Sequence, residues 1–475
     1  MKDNIDALGL QTTAGCPAFA YLPERDARVV ENLRESGALL IGKTNLDQFA
    51  SGLVGTRSPW GACRNSFDPD FVSGGSSSGS AVAVALNAVS FSLGTDTAGS
   101  GRVPAAFNNV IGLKPSLGRL SSRGVVSACK TLDCVSIFAL TAEDAISVLD
   151  LAGAFDKDEP WSRSIPAAKS IPDCGFAFGV PEDSQLQFFG NHGYAEAFQN
   201  TIEHCESIGG EIFRFDYRPF AETAALLYEG PWIAERKHVV QSLLNQDSVA
   251  VLPVIRAILD SADSYSALDT FEAQYQLQTF RHHCTALWER IDFMLLPTAP
   301  THPTIASVEA EPILRNQELG TYTNFVNLMD LCAIAAPAGF ETKAGLPFGV
   351  SLIGPSGSEI SLAHLASRVH EGLGERLGAT KHPVSKGLGR NIANSSSPRP
   401  TVLLAVCGAH LAGQPLNYQL TDKGGVFVEA TSTAPSYRMF ALSNDPASRP
   451  GLIRHDDGAS IYLEVWELPA VEVGA

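Results

Sequence analysis

The sequence predicts an α/β protein: a mixed, largely parallel β-sheet core covered by helices, followed by a small α+β domain. Three observations carry that prediction. Apolar runs of strand character alternate with segments of helical period up to about residue 380. Gly recurs 42 times in 475 residues, which suits many tight turns and close backbone approaches. A Gly/Ser/Asn/Pro-rich stretch at 384–400 then breaks the apolar pattern, and fresh strand-like runs follow it. The length exceeds one ordinary core, so two domains are expected, one of them large.

The elements follow in order. Residues 24–36 (ERDARVVENLRES) place Ala27, Val29, Val30 and Leu33 at near-helical spacing, Gly37 stops the pattern, and ALLIG reads as a buried strand. SAVAVALNAV (80–89) is small and apolar throughout, a buried helix opened by Ser residues. Residues 195–207 read as a helix, stopped by Gly209 and Gly210, with EIFRFD a strand after it. A long helical pattern covers 268–290, IDFMLLP is a strand ending at Pro297, and LPFGVSLIG (346–354) is another. Beyond the 384–400 linker, TVLLAVCGAHL and GASIYLEVWELPA read as strands of the small domain, and no repeat indicates a solenoid.

Composition narrows the function. The net charge of −17 and pI near 5.1 argue against nucleic acid and against an anionic membrane surface. Nine Cys are scattered without metal-ligand spacing, which fits free thiols in a reducing compartment. MKDNIDALGL lacks the apolar core of a signal peptide, and no uncharged run reaches membrane-span length. A cytoplasmic protein is expected.

The chemistry concentrates between Ser73 and Phe107, SGGSSSGSAVAVALNAVSFSLGTDTAGSGRVPAAF. Two Gly/Ser clusters flank a small-residue helix. A Gly/Ser run before a helix can be a plain loop or an anion cradle. It is not a Walker loop, because no Lys-Ser/Thr pair closes it, nor is GTDTAGS a G-x-S-x-G elbow. The order is specific: GGSSSGS, then GTDTAGSGRVPA with Ser100 placed 24 positions after Ser76.

That pattern resembles the amidase signature family, whose members use a Ser–cis-Ser–Lys triad. GKTNLDQFASG (42–52) and GLPFGVSLIGP (345–355) resemble further family segments, so the likeness covers about residues 1–380. It implies the amidase signature fold, Ser100 as nucleophile, Ser76 as the cis-Ser and Lys2, in KDNID, as the base. The backbone amides of Thr97, Ala98, Gly99 and Ser100 become the expected oxyanion hole. The physics is consistent. A Ser hydroxyl needs a base within hydrogen-bond reach. A Lys of reference pKa ~10.4 can serve once burial without a carboxylate partner has lowered that value. Lys43 is a rival base, better read as structural. Arg102 is expected to support the nucleophile loop by pairing with Asp96. Asp133 and His238 would suit a Ser–His–Asp alternative, which a chain with eleven His can offer by chance.

A narrower resemblance is to the allophanate hydrolases, carried by SLGTDTAGSGRVPAAFNNVIGLKPS, GVVSACKTLDCVSIFALT and LYEGPWIAER. It implies substrate-binding roles for Tyr228 and Arg236, since a guanidinium with a phenol suits a small carboxylate. GAHLAGQPLNYQLTDKGG (408–425) and TAPSYRMFAL (433–442) resemble those enzymes' C-terminal domain, which is tied to decarboxylation of N-carboxycarbamate; His410 is its candidate. The implied reaction converts allophanate to ammonia and carbon dioxide, downstream of a urea carboxylase, with no metal or cofactor and with a homodimer expected. The resemblance divides the chain into a catalytic domain (1–383) short of its N-terminal part, a linker (384–400) and a partial C-terminal domain (401–475). Lys2 is then expected to fray and activity to suffer. The alternatives are a general small-amide amidase or a glutamine-amidase subunit, both of which the 408–442 segment disfavours, and a non-catalytic remnant.

Overall fold

The structure, a computed structural model, describes residues 1–387, 392, 401–423, 425–441 and 450–469. The chain forms two compact units, Met1–Asn394 and Ser395–Ala475. Most of the 384–400 linker, and the VEVGA end at which the C-terminal domain was expected to stop, lie outside the described residues.

The larger unit is built on eight strands: β1 (Phe91–Asp96), β2 (Ile111–Lys114), β3 (Cys134–Ala139), β4 (Phe176–Pro181), β5 (Gly210–Phe215), β6 (Phe293–Pro297), β7 (Leu331–Phe340) and β8 (Pro347–Pro355). Their spatial order is β1-β3-β2-β7-β8-β6-β4-β5. The sheet is mixed, as expected, but not largely parallel. Only β4 pairs in parallel, with β5 and β6; the other junctions are antiparallel. The reason is local: β7 turns directly back into β8, and β2 and β3 pair without a crossover helix between them. Burial on both faces makes antiparallel strands read as continuous apolar runs, which is the usual mark of parallel ones.

Helices pack around the sheet, and those at 24–36, 80–89, 195–207 and 268–290 fall where the helical pattern was read. They include α1 (Arg28–Glu35), α2 (Ser78–Ala85), α3 (Val103–Phe107), α4 (Ala142–Ala152), α5 (His192–Ser207), α6 (Arg218–Tyr228), α7 (Trp232–Asp247), α8 (Pro253–Asp260) and α9 (Ala267–Trp288). The α9 N-terminus carries a capping box between Ser266 and Asp269. ALLIG is a correction. It forms no strand and among the described residues pairs with none, and Leu39 and Ile41 are 86% and 74% exposed. Its apolar run has no second layer to bury it.

The smaller unit holds β9 (Thr401–Val406), β10 (Val426–Ser432), β11 (Tyr437–Ala441), β12 (Pro450–Arg454) and β13 (Tyr462–Pro469), arranged as β10-β13-β9 and β11-β12. A short helix, Tyr418–Thr421, packs Leu420 with Val406, Trp466 and Leu468. Among the described residues no helix is long and apolar enough to cross a membrane.

Candidate active site

The site forms where the end of β1 meets the loop before α2. Ser77 Oγ donates to the Thr95 carbonyl at 3.1 Å and accepts the Thr95 amide at 3.3 Å, which pins the Gly/Ser loop against the strand. Gly94 has no side chain there, and a Cβ would run into Ser77 and Phe138. The Gly75–Ser76 peptide is cis.

Lys2 enters from the N-terminal segment. Its amide donates to Leu93 O, and the Thr44 amide donates to Met1 O. These bonds hold residues 1–3 between β1 and Thr44. Lys2 is fully buried, with Nζ donating to Ser76 Oγ at 2.7 Å and to Thr95 Oγ1 at 2.6 Å. Asn4 Nδ2 also reaches Thr95 Oγ1, at 3.3 Å. Burial lowers the Lys2 ammonium from 10.5 to about 7, although Asp133, Asp47 and Asp96 pull it upward. The expected fraying is not what the structure shows: backbone bonds on both sides hold Lys2 in place.

Ser100 follows β1 in the turn before α3 and is buried. Its Oγ lies 3.5 Å from Gly52 O, and among the described residues it makes no hydrogen bond to Ser76. A bond that long holds a hydroxyl weakly and leaves it free to rotate about χ1. The turn itself is held by Asp96. Its carboxylate accepts the Gly99 amide at 2.9 Å and the Gly101 amide at 3.0 Å, and takes Arg102 through Nε at 2.9 Å and Nη2 at 3.0 Å. Both side chains of the pair are fully buried. Burial pushes the Asp96 carboxyl up, but Arg102 outweighs it and the net shift is downward. Gly99 adopts φ 126°, a conformation that favours glycine, and a Cβ there would meet Thr323.

The Asp96–Arg102 pair supports one prediction. Arg102→Met leaves the carboxylate buried without its counter-charge, so a loss of about 3–5 kcal/mol is expected. Thermal unfolding reads this as a lowered Tm; a Tm equal to the parent's would remove the pair from the loop's support.

The remaining polar groups converge from the far elements. Arg236 on α7 is buried, with Nη1 donating to Ser51 Oγ at 3.5 Å and its guanidinium carbon 5.1 Å from the Tyr228 ring centroid. Its Nε has no partner, and among the described residues no carboxylate forms an ion pair with Arg236. A desolvated cation without an anion is an open position for an anionic ligand. Arg57, also buried, donates to Ser51 O at 3.0 Å and to Pro312 O at 2.7 Å, fixing the loop that carries Ser51 and Gly52.

The geometry has a counterpart in known proteins. The family model for amidases matches residues 1–362, and that of the allophanate hydrolase C-terminal domain matches residues 402–475. The chain belongs to the amidase family. The urea amidolyase of Saccharomyces cerevisiae is 43% identical over 489 residues, which take in 100% of this chain and 26% of that one. The amidase thus spans about a quarter of that relative's length. A glutamyl-tRNA(Gln) amidotransferase subunit of Natronomonas pharaonis is 32% identical over 78% of this chain and 94% of its own. The solved allophanate hydrolase of Kluyveromyces lactis aligns with TM-score 0.77 and 40% identity, over 100% of this chain and 79% of that one.

Within this amidase, Lys2 and Ser76 are in contact, Ser100 lies in the following turn, and Tyr228 stacks with Arg236. Thr97, Ala98 and Gly99, the expected oxyanion donors, follow β1, and the Gly99 amide is committed to Asp96. Thr97, Ala98 and Ser100 amides have no protein acceptor among the described hydrogen bonds. The rivals lie elsewhere. Lys43 pairs with Asp3 at 3.0 Å, His238 is exposed, and Asp133 is bonded to Thr97 Oγ1 rather than to a histidine. His410, in the smaller unit, contacts Gln419 Oε1 through Nε2 at 3.0 Å. Sequence reasoning missed Thr95, Ser51, Gly52 and Arg57. Thr95 and the Ser51–Gly52 pair lie inside motifs already singled out, which was the available signal. Arg57, beyond those motifs, gave none.

Proposed function

We propose that the chain hydrolyses the terminal amide of allophanate, giving ammonia and N-carboxycarbamate, which goes on to carbon dioxide and a second ammonia. The observation that carries this reading is the Lys2–Ser76 contact together with Ser100 and a buried guanidinium without a carboxylate, Arg236, which meet the neighbouring residues Gly52 and Ser51. Neutral Lys2 accepts the Ser76 proton while Thr95 Oγ1 accepts one of its own N–H bonds. Ser76 takes the proton of Ser100, and Ser100 Oγ attacks the amide carbon. The Thr97, Ala98 and Ser100 amides stabilise the oxyanion, each donor worth about 3–4 kcal/mol in comparable sites. The proton returns through Ser76 to the leaving ammonia, and water then releases the acyl group from Ser100. Arg236 and Tyr228 hold the substrate carboxylate. His410 is the candidate for decarboxylation in the smaller unit, with a urea carboxylase as functional partner, a cytoplasmic setting and a homodimer as parts of the same reading.

The test is ammonia release from freshly prepared allophanate, with glutamine and simple amides as comparisons and Ser100→Ala as control. Ser100-dependent release from allophanate supports the reading; release from glutamine alone would transfer the chain to the glutamine-amidase class. Arg236→Lys should raise KM for allophanate about 10- to 100-fold, because an ammonium cannot reproduce a stacked, forked donor. Unchanged KM in that variant would remove Arg236 from the substrate site. Solution mass measurement checks the dimer.

A further inference from the structure

Asp133 grips Thr97, two residues beyond the Thr95 whose Oγ1 accepts from Lys2, and the mechanism above leaves it unused. It opens the run into β3, and its carboxylate accepts from Thr97 Oγ1, from the Ala128 amide at 2.6 Å and from the Cys129 amide at 3.2 Å. The same turn is tied to α7, the helix of Arg236. Cys129 Sγ donates to Trp232 O at 3.5 Å, and Thr131 donates to Glu235 through its amide at 2.8 Å and Oγ1 at 2.6 Å. One short turn therefore links the oxyanion strand to the anion-binding helix.

Resting on the hydrolytic reading, we propose that Asp133 is a positioning residue that anchors Thr97 of the oxyanion turn and serves as the counter-charge of Lys2. The charges facing Lys2 are Asp133, Asp47, Asp96 and Arg236, and Asp133 exerts the largest pull of the three carboxylates. Asp96 already answers to Arg102. The charged and titratable groups that face Asp133 are Lys2, Arg236, Cys129 and Cys134, with Glu235 beside Cys129. Desolvation pushes the Asp133 carboxyl up to about 6, against the Thr97 bond and the Arg236 charge. At neutral pH it is ionised. As Lys2 takes up the serine proton it becomes an ammonium, and Asp133 is the carboxylate placed to stabilise it.

The two functions separate by substitution. Asp133→Asn removes the charge, and Thr97→Val removes the anchor while leaving the charge and the Thr97 backbone amide. The readouts are kcat/KM against pH on allophanate and the pH profile of Ser100 labelling by a fluorophosphonate, which needs no assumption about substrate. Asp133→Asn should be labelled at least ~10-fold more slowly at its plateau, short of the loss of a whole oxyanion donor. Its acid limb should move to lower pH by roughly half a unit or more, because Lys2 loses the carboxylate that favours its charged form. Thr97→Val should be slowed with its acid limb unmoved. An Asp133→Asn limb coincident with the parent's overturns the counter-charge role, and an unslowed Thr97→Val overturns the anchor, also if Asp133→Asn fails to fold. A parent that is labelled with these shifts yet releases no ammonia from allophanate sinks the substrate reading alone. A parent not labelled at Ser100 sinks both.

Discussion

Ser100→Ala is expected to abolish ammonia release, by a factor on the order of 10⁴–10⁶ in kcat, as loss of the nucleophile does in other serine hydrolases. In the proposed mechanism the hydroxyl is the attacking atom, and no neighbour replaces it. Ser76 is held on Lys2 at 2.7 Å, and its peptide is bonded through Ser76 O to the Asp47 amide at 3.1 Å. The variant should fold normally, since Ser100 Oγ makes one long contact to Gly52 O. A Tm equal to the parent's, with binding of the carboxylate ligand retained, would separate lost chemistry from lost structure. Parent-like turnover by Ser100→Ala would remove the nucleophile assignment altogether.

Lys2→Met is expected to cost on the order of 10²–10⁴ in kcat, the range for a positioned general base. Lys2→Arg should do no better, because a guanidinium stays charged and cannot accept the serine proton. In the parent, activity should rise with pH through about 7 as Lys2 loses its proton. Stability carries the same signature. The folded value is about 7 against 10.5 unfolded, so between those limits the unfolded chain binds more protons. Stability conferred through Lys2 therefore rises with pH across that window and is lost as pH falls toward 7. Comparing denaturation midpoints of parent and Lys2→Met from pH 7 to 10 measures it. A difference that does not vary with pH would mean that Lys2 is charged in the folded protein.

Much of the fold is legible in the order of the residues alone. The helices at 24–36, 195–207 and 268–290 follow from period and stop residues, and the strands after the last two from short apolar runs. What misleads is the reading of continuous apolar strands as parallel, because burial on both faces produces the same pattern in either direction. ALLIG misleads for a related reason: composition shows that a run is apolar, not whether a second layer exists to cover it.

The sequence by itself determined the candidate reacting groups, because Ser76, Ser100 and the turn around them sit in two motifs whose order can be read along the chain. It also pointed to Lys2, Tyr228 and Arg236 as partners. Only the tertiary structure decided that Lys2 is desolvated and 2.7 Å from a serine 74 residues away. The same holds for Arg236 being buried without a carboxylate, for Asp96 occupying the Gly99 amide, and for Asp133 gripping Thr97. Those are questions of distance and solvent exclusion between segments far apart in the chain. Proton affinity and hydrogen-bond occupancy depend on such non-local neighbours, and no local pattern of residues encodes them.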